Sequence, residues 1–587
     1  MNPRLRNRVR ARLAAQHSDG RERGVILVWL ALMMVVLLGA GALGVDVAHL
    51  HHVKADAQKA ADAAALAGAV YLPENEGTGA SQARSIATKN GFTNVPVAQR
   101  DASRPSQMNV KVSKTVDNFL AGVLGIGSST VTASASAEYL KPVAMGSPAN
   151  QYGNDPDSAG APASQTYPNL WGNVTSTGTN KINGNAFTSN ACGGGSTDNC
   201  SSSNSDFDPQ GYYYTVRFNQ AATVNLALFD PGFVAVGNNC AANGFNSDLS
   251  GAATIPSSTQ VVGWPAGATP GPSARYAPVS NVNLPPTTTN PGNRYCTGDQ
   301  PFNTAGNGNA TNMPSTTYRV YGPAELAGAP SSAAPICQPW TFPGFTGNLR
   351  TRLLSNNNAD RISVSPTAQW LGSYFRQWWT IPGCSITGAA GQEFFVQVNG
   401  ANGGNGNNNF AIKATGSGAA SVSISGNEKM AIFANAGSNT LTQFYLARIL
   451  PSAAGKSLIL SFFDIGDAGS GVTGSLTIRP PTDPATAATG LTSFTGCQYT
   501  PPPGNSSGPP WGTYQNTSAG CAITGVNTSQ YNGQWVQVRI PIPQNYTCDY
   551  TSSTGCWVRI NYLFNGQVND VTTWSAVLDG DPVRLVK

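Results

Sequence analysis
Histidine occurs at only four positions in this 587-residue chain, His17, His49, His51 and His52. Residues 53–587 contain none. That stretch therefore holds no Ser-His-Asp triad, no Cys-His pair and no His-ligated zinc. A pair of carboxylates flanking a glycosidic bond needs no histidine, but its defining separation is not a property of sequence. No catalytic residue is assigned, and an enzyme is not expected. Three close acidic pairs, Asp206/Asp208, Asp464/Asp467 and Asp579/Asp581, offer the hard oxygens that calcium takes, the last two across a glycine. None has the D-x-D-x-D-G spacing of a calcium loop, so turn-forming aspartate is the default reading. A structural calcium at Asp464, Asp467, Asp579 and Asp581 is the alternative, and no other cofactor is expected. Trp370, Tyr374, Phe375, Trp378 and Trp379 fall within ten residues. Exposed flat rings stack on sugars, whereas rings in a strand more often pack in a core. Trp378 and Trp379 are the candidate glycan contacts.

The ten cysteines all lie beyond residue 190, with no C-x-x-C and no histidine near them. Their even number in this context favours disulfides in an oxidising compartment over metal sites. Cys192/Cys200, Cys497/Cys521 and Cys548/Cys556 are the economical local pairs, and the full connectivity stays open.

Charged residues make 11% of the chain, well below the roughly 25% usual for a soluble domain. With 65 Gly and 40 Pro, the surface must be built from Asn, Ser, Thr and Gly, which suits an exported β-rich protein. The net charge of +5 is carried by residues 1–23, where seven arginines oppose Asp19 and Glu22. Residues 24–587 hold 27 charges of each sign, so the body has no net charge to attract nucleic acid.

Residues 24–45 run 22 positions without a charge, and as a helix would span about 33 Å, enough to cross a bilayer core. Arginines flank one end and Asp46 opens the other. The positive-inside rule places 1–23 in the cytoplasm and everything after Asp46 outside, in a single pass. A signal peptide has an apolar core of about 7–15 residues, and no small-x-small cleavage site follows here, so a retained anchor is the better reading. Ala40 and Gly44 form a small-xxx-small pair able to meet a partner helix, although a plain lipid-facing stripe is the commoner origin of such a pair. Helical character continues beyond Asp46, since nine of the sixteen residues 55–70 are alanine. An alanine face either admits partner helices or packs on its own domain.

Residues 21–69 resemble the N-terminal segment of Tad (tight adherence) or Flp pilus-assembly proteins of the TadE/TadG-like kind. The matching features are Gly24, the apolar run, Val45-Asp46, and Gln58 followed by the Ala60–Ala67 stretch. The resemblance implies a membrane-anchored component of a pilus-building machine, with other Tad/Flp components as partners through the anchor and the alanine helix. Trp29 stands where Flp prepilins have a glutamate five residues after the glycine, and the D-x-S-x-S run of larger relatives is absent.

Behind the anchor, 46–140 reads as a small α+β, pilin-like module. It has a helix at 81–89 ended by Asn90-Gly91, a strand at 109–116, a helix from Asp117 through 124 and a half-buried strand at 130–138. Residues 141–210 read as a Gly/Ser/Asn/Pro-rich linker. Two mainly-β domains follow, a β-sandwich over 211–415 with long insertions and a second sandwich or jelly roll over 421–587. Strands are expected at 212–218, 223–229, 318–321, 370–381, 394–398 and 410–413, and then at 430–434, 444–449, 458–463, 535–540, 557–562 and 574–578. Residues 391–414 resemble the last hairpin of pre-peptidase C-terminal-type sandwiches. The expectation is a membrane-anchored structural component of a pilus apparatus displaying β-domains. A surface adhesin on a Tad-like anchor is the alternative.

Overall fold
The computed structural model describes residues 20–72, 76–101, 107–119, 122, 125, 127–154, 170–192, 200, 202–232, 314–324, 328–344, 361–364, 367–370, 375, 378–400, 406–436, 438–439, 441–466, 469–502, 513–566, 568–580 and 583–586. It divides into two compact units, the first made of residues 1–139 plus 583–587 and the second of Leu140–Pro582.

The first, or anchor, unit begins with α1 (Gly20–Ala69), one unbroken helix through the apolar run and the alanine-rich segment. It continues with α2 (Glu76–Lys89), β1 (Asn94–Arg100), β2 (Gln107–Asp117) and β3 (Ser128–Tyr139). The C-terminal strand Val583–Val586 then pairs with β3, giving an antiparallel sheet ordered β1, β2, β3, C-terminal strand. Pro96 lacks an amide hydrogen, and it sits where the register of the outer strand β1 shifts. Gly91 in the left-handed region (φ 85°) ends α2, with the Phe92 N–H reaching back to the Ala87 carbonyl at 3.0 Å. The helix expected from Asp117 falls largely on positions outside the described residues. Asp117 itself closes β2, and the Asn118 N–H donates to the Gly127 carbonyl at 3.0 Å.

The second, or β, unit contains the expected strands except that of 370–381: Thr367–Trp370 pairs with Arg361–Val364, and a separate strand, Trp378–Gly388, begins later in another sheet. Its plan departs from two separate domains. One antiparallel ladder runs through Trp340–Phe342, Thr316–Tyr321, Glu393–Gly400, Tyr212–Phe218 and Val422–Asn427. It continues through Ala144–Met145, Thr442–Arg448, Trp557–Phe564, Gly474–Arg479 and Ala522–Val526. The other ladder runs through Trp378–Gly388, Ala222–Phe229, Asn407–Thr415, Leu170–Thr175 and Lys429–Ala436. It goes on through Val568–Leu578, Ser457–Phe463, Trp535–Pro541 and the short pair Gln498–Tyr499 and Gln515–Asn516. Rings meet between the ladders in both halves, Tyr214 with Phe410 at 5.5 Å and Phe444 with Trp574 at 5.8 Å, so the two sheets share one core.

Three further expectations are corrected. The segment read as linker supplies Ala144–Met145 and Leu170–Thr175, the strands that splice the two halves of each ladder. Glu393–Gly400 and Asn407–Thr415 pair with different neighbours in opposite sheets, so residues 391–414 cross between sheets rather than forming a hairpin. The last strand, read as part of the second sandwich, belongs to the anchor unit.

Four disulfides lie among the described residues, Cys192–Cys200, Cys337–Cys384, Cys497–Cys521 and Cys548–Cys556, with Cα separations of 5.1–5.4 Å. The three local pairs are those the spacing favoured. Cys240 and Cys296 lie outside the described residues. Cys384 sits in the outermost strand of one sheet, and Cys337 just precedes the outermost strand of the other. Cys497 and Cys521 each precede a strand near the opposite edge of their respective sheets. These two bridges staple the sheets together at both ends.

Candidate functional site
The residues that carried the family resemblance lie along α1, on both sides of the point where its apolar run ends. From Val25 to Val45 the described apolar side chains of α1 are exposed. This is the one described helix long and apolar enough to cross a membrane. Trp29 is 64% exposed, and a Cβ at Gly44 would meet nothing within 4 Å. Gly24 and Ala40 lie in the same helix.

Beyond Asp46 the environment inverts. Ala57, Ala60, Ala61, Ala64, Ala65 and Ala69 recur at helical spacing and are fully buried. This face packs within the anchor unit against β2, β3 and α2. Of the two uses open to an alanine face, packing on its own domain is the one observed. At Gly68 the two helices approach closely, a Cβ there lying 2.8 Å from the Gly79 carbonyl oxygen.

The polar members of the motif act on the sheet. The Gln58 Nε2 donates to the Ser134 carbonyl at 3.1 Å and to the Asp62 Oδ1 at 2.7 Å. The Lys54 Nζ donates to the Thr132 carbonyl at 2.9 Å. The C-terminal strand pairs with Ser136–Tyr139 only, so these two side chains serve carbonyls of β3 beyond its reach. Asp46 is 4% exposed, and its Oδ1 accepts the Phe119 N–H at 3.0 Å. The His49 ring lies edge-on to Phe119 at 5.3 Å. The carboxylate that ends the apolar run thus ties down the start of the β2–β3 connection.

Residues 24–70 match the family model described as putative Flp pilus-assembly TadE/G-like. The matched stretch ends with α1, so the TadE/G-like segment is this helix and the later elements fall outside it. No curated protein and no solved structure matches the chain.

The remaining candidates are dispersed. Trp379 is 1% exposed and its ring lies 5.2 Å from that of Trp340, so it is a core side chain rather than a sugar platform. Trp378 is half-buried, with the Lys413 ammonium 4.0 Å over its ring and Phe229 at 5.3 Å. Phe375 is buried, and the Trp370 and Tyr374 side chains lie outside the described residues. Asp464 is buried and its Oδ1 accepts the Gly533 N–H at 2.6 Å. Asp579 pairs with Arg539 at 2.6 Å, while Asp467 and Asp581 lie outside the described residues. Among the described residues no group of three or more His, Cys, Asp or Glu is placed to hold a metal ion. Asp206 and Asp208 face Lys181 and Lys429. Lys181, 2% exposed, also lies beneath the rings of Phe463 and Trp535, a buried cation that no spacing rule foretold.

Proposed function
We propose that the chain is a single-pass membrane component of a Tad/Flp-type pilus or related surface apparatus, structural rather than catalytic and needing no cofactor. Residues 1–23 would lie in the cytoplasm and the β unit on the outer side. The observation that carries the reading is the TadE/G-like match on a helix whose apolar part is exposed while its alanine part is buried in a folded module. The arginine-rich tail supports the orientation, and disulfides in the β unit support an oxidising exterior. Other pilus-assembly proteins would be met in the membrane along the apolar run, the face of α1 that its own module does not use.

A second reading, a surface adhesin or glycan-binding protein that borrows the anchor, draws on the half-buried Trp378. Complementation of a deletion strain separates the two. A chain lacking 24–45 is expected to give no pili, and normal pili would overturn the proposal. A chain lacking 141–581 but keeping Val583–Val586 should impair assembly if the β unit is part of the machine. Normal pili with lost surface attachment would favour the adhesin.

A further inference from the structure
Phe119 is 68% exposed, the most exposed large apolar side chain among the described residues outside the apolar helix. It is nevertheless held in place, its N–H on the Asp46 carboxylate at 3.0 Å and its ring 5.3 Å from His49. Those contacts put it level with positions 46–49 of α1, and His49 lies one helical turn beyond the exposed Val45. From Val45 to His49 the helix rises about 6 Å. The polar layer on each side of a bilayer core is about 5–8 Å deep. An apolar side chain at that height falls at the boundary of headgroups and acyl chains, where Trp, Phe and Leu of membrane-surface segments bury. The ten residues from Asn118 to Gly127 carry no charge.

We propose that Phe119 is a second membrane contact, inserted at the boundary between lipid headgroups and acyl chains on the side of the membrane where the anchor unit emerges. The lipid surface is favoured over a protein partner because the exposed ring continues the apolar surface of the helix from Val45, the Asp46 carboxylate between them being buried. Asp46 and His49 are positioning residues in this arrangement. They fix the loop that bears the ring against the end of the span. The inference rests on the reading of α1 as a membrane anchor.

The test places a photoreactive benzophenone side chain at position 119, at Met33 in the apolar run, or at Leu563, an exposed apolar residue of the β unit, in the full chain in native membranes. Irradiation is expected to give phospholipid adducts at 33 and 119 and none at 563. Lipid adducts at 33 with only protein adducts, or no adduct, at 119 would overturn the proposal and leave the anchor standing. Absence of lipid adducts at 33 would overturn the anchor reading and this one with it. Because Phe119 is exposed, the substitution leaves the packed core untouched, and export of the variant at wild-type level verifies this.

Discussion
The anchor unit is built from the smallest side chains and the β unit from the largest. In the first, a stripe of alanines on α1 lies on the sheet, and Gly68 meets Gly79 at backbone distance. In the second, Trp574 is fully buried with rings of Phe444, Phe462 and Tyr562 at 5.8–6.2 Å, and disulfides join the sheets at both ends. Small residues permit close backbone approach but bury little area each, so the anchor unit depends on exact fit over a long helix. Rings bury much area each, so the β unit is held by a core of large side chains that its two sheets share.

The comparison is broken most directly in the aromatic core. Trp574→Ala should destabilise the β unit by about 3–5 kcal/mol, read as a lowered thermal midpoint, while protease resistance of the anchor unit stays unchanged. The opposite error, adding volume, is the sensitive one in the anchor unit. Gly68→Ala puts a methyl 2.8 Å from the Gly79 oxygen and 3.1 Å from Met108, and should cost about 1–3 kcal/mol. Its readout is faster proteolysis between α1 and α2 with the thermal midpoint of the β unit preserved.

The smallest effect concerns charge. Asp483 caps the short helix Pro484–Ala488 and also accepts the N–H groups of Asp549 and Cys556 at 2.9 and 3.0 Å, bracing the Cys548–Cys556 loop. Burial alone would raise its pKa, but these backbone donors and that of Thr486 outweigh it and hold the carboxyl below its ordinary value. Asp483→Ala should cost about 1 kcal/mol near neutral pH, the usual worth of a helix cap. A lowered folded-state pKa gives stability that is complete above the unfolded value and is lost as pH falls through the folded one. Chemical-denaturation curves of wild type and variant should therefore converge in acid, and a gap that persisted there would contradict the assignment.

Legibility followed burial. Trp557–Phe564 and Ser457–Phe463 have one face in the core and the other partly open, so hydrophobic residues alternate and the strands are readable. All six residues of Leu170–Thr175 are buried, on both faces, and no alternation survives. Asn173 and Thr175 make that segment look like linker, yet they are satisfied within it, Asn173 donating to Asn409 at 2.7 Å and Thr175 meeting Thr188 at 2.8 Å. Asn94–Arg100 was hidden by Pro96. Val583–Val586 falls inside the span read as the second sandwich, but its partner lies more than 400 residues away, and no local pattern encodes that pairing. Within the candidate site, Asp46 and Gln58 were marked by the motif, whereas Phe119 sat in a short apolar run read as a helix, and the contact that holds it comes from Asp46, 73 residues earlier.

The strand Val583–Val586 also has a bearing on biosynthesis. The chain emerges from its N-terminus, so α1 and the first three strands of the anchor unit are made long before their fourth strand exists. A product cut short anywhere in the β unit presents Ser136–Tyr139 as a bare sheet edge, and lacks Arg584 to pair with Glu138 at 3.4 Å. Only a polypeptide made through Val586 closes that edge. The anchor unit thereby reports on the completeness of everything threaded between its third and fourth strands, and a truncated chain is left with an exposed edge that proteases and chaperones can recognise.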